Sequence, residues 1–274
     1  MQITAQEVNK LRQMTGAGMM DCKKALQDAN GDFERAKEII REKGKLVAAK
    51  RADRETSEGT VIAKVSEDNS QAILFSLGCE TDFVAKNAEF KALATSIADV
   101  ALEKMVADKD ALANMTVGEH TVAEMVTEQT GKTGEKHVVA YYGKLEAPYI
   151  AAYVHMTGKV ATIVGFNKEV TLAAGKDIAM QITAMNPVSI SKADCPKDVV
   201  EKELEIYREQ VRQENKPENM VEQIAQGKLS KFFKESTLEE QIFVKDGKIT
   251  VAAYLKAVDP EAKITGFCRF SLSE

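Results

Sequence analysis

The chain is poor in the residues that small-molecule chemistry most often uses. It has three histidines (His120, His137, His155) and four cysteines (Cys22, Cys79, Cys195, Cys268), all far apart, with no C-x-x-C and no zinc-ligand spacing. No metal or cofactor site is expected, and the thiols are expected to be reduced and structural. Walker P-loop, G-x-G-x-x-G, H-E-x-x-H and G-x-S-x-G patterns are all missing, so the sequence offers no enzyme signature. No apolar run approaches the ~18–20 residues of a membrane-spanning helix. The N-terminal "MQITAQEVNK" shows neither a basic segment followed by an apolar one nor an Arg- and Ser-rich leader, so a cytoplasmic protein without a membrane is expected. A cationic excess is missing too. The net charge is −5, which makes the chain a poor candidate for direct nucleic-acid binding through phosphates. The first 55 residues are slightly basic, 12 Lys and Arg against 9 Asp and Glu. That excess could meet an acidic protein face, but a plain solvated surface is the more common explanation of one so small.

What is present is a globular composition, 44% hydrophobic and 29% charged, with little glycine and proline, in 274 residues that suffice for two domains. The first ~45 residues predict three short helices. Thr4 can cap one that carries Val8, Leu11 and Met14, and "TGAG" breaks it. A second, over 18–29, spaces Met19, Cys22, Leu26 and Ala29 along a stripe. Asp32 can cap a third with Phe33, Ala36, Ile39 and Ile40, and Gly44 is expected to end it. Neighbours on a helix point about 100° apart, so of Met19 and Met20 one is expected in the core and the other exposed. Cys22, beside Lys23 and Lys24, reads as packing rather than as a nucleophile. A charged stretch, "GKLVAAKRADRETSEG", reads as a linker, helical in part.

The body repeats. Sliding the chain by 89 residues places Val61, Ala63 and Val65 on Ile150, Ala152 and Val154. It also places Ala72, Leu74 and Leu77 on Ala161, Ile163 and Phe166, Ala85 on Ala174 and Leu93 on Ile182, with no gap. Each copy predicts strand, polar turn ("SEDNS" or "HMTGK"), strand and helix, and "EKHVVAYYGKLE" and "KITGFCRFSLSE" look like further strands. Two α+β halves related by pseudo-symmetry follow. The second is interrupted over 196–235 by two amphipathic helices around "NKPEN", an antiparallel hairpin with Val200, Leu204, Tyr207 and Val211 facing Val221, Ile224 and Leu229. The expected units are residues 1–55, 56–144 and 145–274, the last carrying the hairpin. Cys79 and His155 would form a thiol–imidazole pair only if the fold joined them, and the repeat puts His155 opposite Ser66 instead.

One stretch asks a question of its own. In "GCETDFVAKNAEF", residues 78–90, Thr81 and Asp82 suit the start of a helix, which places the large ring of Phe83 on its first turn. The repeat aligns Thr81, Asp82 and Phe83 with Val170, Thr171 and Leu172, so a hydrophobic staple onto the sheet is one answer. A partner contact is the other.

"LRQMTGAGMMDCKKAL" (11–26) and "CETDFVAKNAEF" (79–90) resemble the two signature segments of the elongation factor Ts family, guanine-nucleotide exchange factors for elongation factor Tu. The second departs from the family at Ser76, Gly78 and Glu80, where an acidic residue, Asn and Gln are common, while its "TDFVAK" core is intact. The resemblance covers essentially the whole chain. It implies an α+β fold with a UBA-like three-helix N-terminal module, a duplicated antiparallel-sheet and helix core and an inserted coiled-coil hairpin. It implies no enzyme activity. It implies binding of elongation factor Tu, GDP-bound and nucleotide-free, through Arg12, Met19, Met20, Lys23, Asp82, Phe83 and His155. The segment Thr81, Asp82, Phe83 and Val84 would disturb the Mg²⁺ site of that GTPase. The hairpin is left with a partner contact, a homodimer of the complex or a purely structural role. The rivals are a scaffold or chaperone-like binding module without exchange, and a thiol enzyme.

Overall fold

The computed structural model describes residues 3–273, so the extreme ends of the expected 1–55 and 145–274 units fall outside it. Helix α1 (Ala5–Thr15) begins in a capping box in which Thr4 and Glu7 satisfy each other's backbone amides, and ends at Gly16, whose φ of 66° needs no Cβ. Helix α2 (Met19–Asp28) and helix α3 (Phe33–Lys50) complete the module. Asp32 caps α3 through the amides of Glu34 and Arg35. Val8, Leu11, Cys22, Ala25, Leu26 and Ala36 form its small core.

Two expectations change here. Gly44 does not end α3, which runs on to Lys50 through the first part of the presumed linker. The glycine lies instead where α3 crosses α7 (Val122–Thr133), facing Gly131. A methyl on Gly131 would lie 2.8 Å from Gly44 Cα, so bare backbone is what lets the helices meet. Met14 leaves the module core and lines a cleft of about 110 Å³ between α3 and α7.

The core holds two sheets of the same design. Strands β1 (Glu58–Val65), β2 (Gln71–Cys79) and β5 (Val138–Glu146) are antiparallel in the order β1-β2-β5, and β6 (Tyr149–Val154), β7 (Val160–Phe166) and β8 (Ile264–Ser271) repeat that order. The duplication is written into the backbone. Asn69 and Gly158, 89 residues apart, both take left-handed φ in their hairpin turns. The turns are exchanged reciprocally: Val61 N–H donates to Gly158 O (3.0 Å), and its mate Ile150 N–H donates to Asn69 O (2.8 Å). Even the irregularities match, at Ser76/Leu77 against β5 and at Gly165/Phe166 against β8. Between the sheets the buried residues are Val61, Ala72 and Leu74 with their mates Ile150, Ala161 and Ile163.

Each sheet's other face is covered by helices. In the first copy a single turn, α4 (Asp82–Ala85), precedes α5 (Ala88–Lys104), and α6 (Lys109–Asn114), a two-residue ladder of β3 (Thr116–Val117) and β4 (His120–Thr121), and α7 follow. In the second copy α8 (Leu172–Met185) is continuous. The hairpin α9 (Lys197–Gln213) and α10 (Glu218–Ser236) comes next, then α11 (Val251–Val258). The hairpin packs on itself through Val211, Val221, Ala225, Leu229 and Phe233. Arg208–Glu222 (2.7 Å), Arg212–Glu218 (3.1 Å) and Lys228–Glu214 (2.8 Å) lace its outer faces. Its base joins the core where Val188 N–H donates to Ser236 O and Ser189 bridges Thr237.

Candidate protein-contact site

The helix expected from Asp82 onward is broken after one turn. The Asn87 side chain accepts from Glu89 N–H at 2.7 Å and so begins α5 afresh, leaving α4 as a separate knuckle. Within it the residues divide by face. Ala85 is buried and Val84 packs against the same core, so they fill the inward side. Phe83 points away and is 83% exposed. The staple reading therefore fails at Phe83, because the room beneath the turn is already taken by Val84 and Ala85. It fails in the second copy too, where Leu172, the mate of Phe83, is 78% exposed.

The knuckle is anchored from below. Thr81 caps it, its hydroxyl accepting from Val84 N–H (3.4 Å) while donating to Glu135 Oε1 (2.7 Å). Thr81 N–H donates to Glu135 Oε2 (3.0 Å). Next to it, Glu80 accepts from the Arg51 guanidinium at 2.9 Å on both oxygens and from Lys136 N–H at 2.6 Å. The Lys136 amide first, and the guanidinium after it, hold the Glu80 carboxyl below the usual carboxylate range. Lys136 Nζ donates to the carbonyls of Ala52 and Arg54. Asp82, half exposed, pairs with Lys86 at 2.6 Å, and the hydrogen bond from that ammonium lowers its pKa.

His155 stands at the start of the β6–β7 turn, its Nδ1 3.3 Å from the Tyr153 hydroxyl. Lys159, from the same turn, pairs with Glu58 at 2.6 Å, and Glu58 lies opposite Cys79 in the β1–β2 ladder, two residues before Thr81. The His155 turn and the Phe83 knuckle are thus tied to the same end of one strand pair. Met156, beside His155, is almost fully exposed.

Arg12 near the end of α1 and Met19, Met20 and Lys23 in the first half of α2 flank the α1–α2 junction and are all exposed. Met19 as well as Met20 is outside the core, contrary to expectation. Met19 is the first residue of α2, a turn before Cys22 reaches the module's interior.

Thiol chemistry finds no support. Cys79 donates to Thr81 O (3.2 Å), burial pushes its pKa up to about 12, and no hydrogen bond links it to His155. Cys22 is buried beside Ala17 O and Thr15. Among the described residues no group of His, Cys, Asp and Glu could hold a metal ion, and no helix is long and apolar enough to cross a membrane. Sequence reasoning missed Arg51 and Glu135. Both act across more than 25 positions of sequence, and neither carries a local pattern.

The sequence model of the family described as Elongation factor TS matches residues 80–274. The chain is 47% identical over 272 residues to a protein called elongation factor Ts from Christiangramia forsetii, covering 98% of each. It is likewise 47% identical over 272 residues to one from Amoebophilus asiaticus, and 44% identical over 274 residues to one from Porphyromonas gingivalis, covering 100% of this chain and 99% of that one. By class this is a translation elongation factor. It belongs to the elongation factor Ts family.

Proposed function

We propose that the protein is a guanine-nucleotide exchange factor for elongation factor Tu, which it meets in the cytoplasm as the GDP-bound form and holds most tightly without nucleotide. It makes and breaks no covalent bond. We assign contacts to Arg12, Met19, Met20 and Lys23 on the N-terminal module, to Asp82 and Phe83 on the knuckle, and to His155 in the second half. The units that present them are 1–55, 56–144 and 145–274, with the hairpin as a further arm. The observation that carries this reading is Phe83, an exposed ring on a turn held rigidly from beneath.

The physics is that of a wedge. A GTPase holds GDP with a loop of backbone amides and a Mg²⁺ ion bridging protein and phosphate. Mg²⁺ tolerates little departure from octahedral geometry. A ring forced between elements of the GTPase need displace them only slightly to spoil that coordination. A turn that gave way on contact would do less, so the anchoring of Thr81 matters as much as the ring. Linkage requires that nucleotide weaken factor binding by the factor with which the factor weakens nucleotide binding.

The test is stopped-flow release of a fluorescent GDP analogue from Tu, with the wild-type chain and with Phe83→Ala, folding being followed by circular dichroism. Wild type accelerating release and a folded Phe83→Ala largely failing to do so is the expected result. Binding to Tu that is indifferent to GDP would favour a scaffold without exchange.

A further inference from the structure

The end of α7 and the residues after it touch both groups of contact residues. The Lys132 stem lies on Gly16, in the α1–α2 junction next to Met19 and Met20: a methyl at Gly16 would stand 2.9 Å from Lys132 Cε. Three residues on, Glu135 grips Thr81 by both its amide and its hydroxyl. Lys136 gives its amide to Glu80 and its ammonium to the chain leaving α3. Glu80 closes the loop by taking Arg51, which caps the C-terminus of α3. Further back along α7, Gly131 meets Gly44. One short segment, Gly131–Lys136, therefore fixes the N-terminal module on one side and the knuckle on the other.

We propose that this segment is a spacer that sets the separation of the two contact surfaces, with its Glu135 the positioning residue for Phe83 and Glu80, which binds Lys136 of the segment and Arg51 at the end of α3, the positioning residue for the module. The inference rests on the exchange reading above and adds to it residues that act by positioning Phe83 and the N-terminal module. Fixing two surfaces in advance spares the complex the cost of ordering them on binding. A rigid knuckle also delivers contact energy to the GTPase as displacement, instead of losing it by yielding. The two carboxylates have separate effects. Loss of the Glu135 grip lets the knuckle yield and slows release at saturating factor. Loss of the Glu80 link lets the module swing and raises the factor concentration needed for half-maximal release, with the saturating rate kept.

The experiment is a cycle of full-length variants in the fluorescent GDP release assay, at a series of factor concentrations, each checked for fold by thermal melting. Glu135→Ala is expected to lower the saturating rate about tenfold, the size of a coupling between neighbouring groups. Glu135→Gln, which keeps a carbonyl acceptor for Thr81, recovers most of it. In a Phe83→Ala background, Glu135→Ala adds no further loss, because there is no ring left to position. Glu80→Ala raises the half-maximal concentration several-fold. Glu135→Ala exchanging like wild type, Glu135→Gln losing as much as Glu135→Ala, or a Glu135→Ala loss that adds in full to that of Phe83→Ala, overturns the proposal for Glu135. An unchanged half-maximal concentration overturns it for Glu80. If Phe83→Ala alone exchanges like wild type, the exchange reading of the knuckle fails and this inference falls with it, an outcome visible without any change at Glu135.

Discussion

The crossing of α3 and α7 yields a prediction in which two identical substitutions have opposite signs. Gly44 and Gly131 are both inside helices, where alanine is favoured over glycine by about 0.8–1 kcal/mol. Space differs. A Cβ on Gly44 would meet Gly131 Cα and Thr127 O at 3.6 Å, an ordinary contact. A Cβ on Gly131 would meet Gly44 Cα at 2.8 Å, and backbone in a packed helix cannot step aside as a side chain does. Overpacking of that kind costs about 1–3 kcal/mol. Gly44→Ala should therefore stabilise the fold by up to about 1 kcal/mol, and Gly131→Ala should destabilise it by about 1 kcal/mol once propensity is subtracted. In a chain of this size each kcal/mol moves the midpoint by about 2–4 °C. Thermal melts of the two variants beside wild type would read the difference directly. Gly131→Ala melting at or above Gly44→Ala would refute the steric argument and leave helix propensity in charge.

Other expectations can be checked on the same material. His137 is buried on Phe90, its Nδ1–H bonded to Glu135 O and its Nε2 without a partner, so burial lowers its pKa. The unfolded chain then takes up a proton near pH 6.5 that the folded one resists. Stability contributed by neutral His137 is complete above about pH 6.5 and falls by up to ~1.4 kcal/mol per unit as the pH drops toward the lowered value. Urea melts between pH 8 and 5.5 should show that slope, and a folded His137→Gln variant should lose it. Leu74→Ala and Ile163→Ala occupy matched, fully buried places between the sheets, and each should cost about 2–5 kcal/mol in chemical denaturation; a surface-like effect at either would contradict the pseudo-symmetric core. Cys79, with its thiol pushed up to about 12, should resist iodoacetamide at pH 7.5 in the native chain and react once urea is added.

Much of this architecture was legible in the sequence because apolar spacing and caps are local signals. Thr4 and Asp32 cap as expected, the two copies align without a gap, and the hairpin's stripe packs as its spacing implies. The errors share a cause. Gly44 looked like a helix end because glycine usually stops a helix, yet here it serves a neighbouring helix nearly 90 positions away. Met14 and Met19 lay on apolar stripes, but the module is so small that a stripe outruns its core at both ends. At Phe83 the residues alone left staple and contact open, since both need a large ring at the first turn. Exposure decided against the staple, and exposure is a property of the packing beneath rather than of the ring.

The two copies show what turns such a ring into a knuckle. Leu172 occupies the place of Phe83 and is exposed to a similar degree, so exposure at this position comes with the duplicated design. The surroundings differ. Thr171 caps α8 through Ala174 N–H, and the helix then runs unbroken to Met185. In the first copy Asn87 cuts the helix, Thr81 is bound by Glu135, and Glu80 is bound by Arg51 and Lys136. Breaking a helix after one turn gives up its later hydrogen bonds, and an isolated turn is unstable in water. The carboxylate of Glu135 replaces that lost support with charge-assisted bonds from outside the turn. A duplicated fold thus carries one plain helix start and one detached turn that long-range partners hold in place. Removing Glu135 should loosen α4 and leave α8 untouched, so amide exchange at Val84 and Ala85 should quicken in Glu135→Ala while that at Ala174 and Gly175 stays as it was.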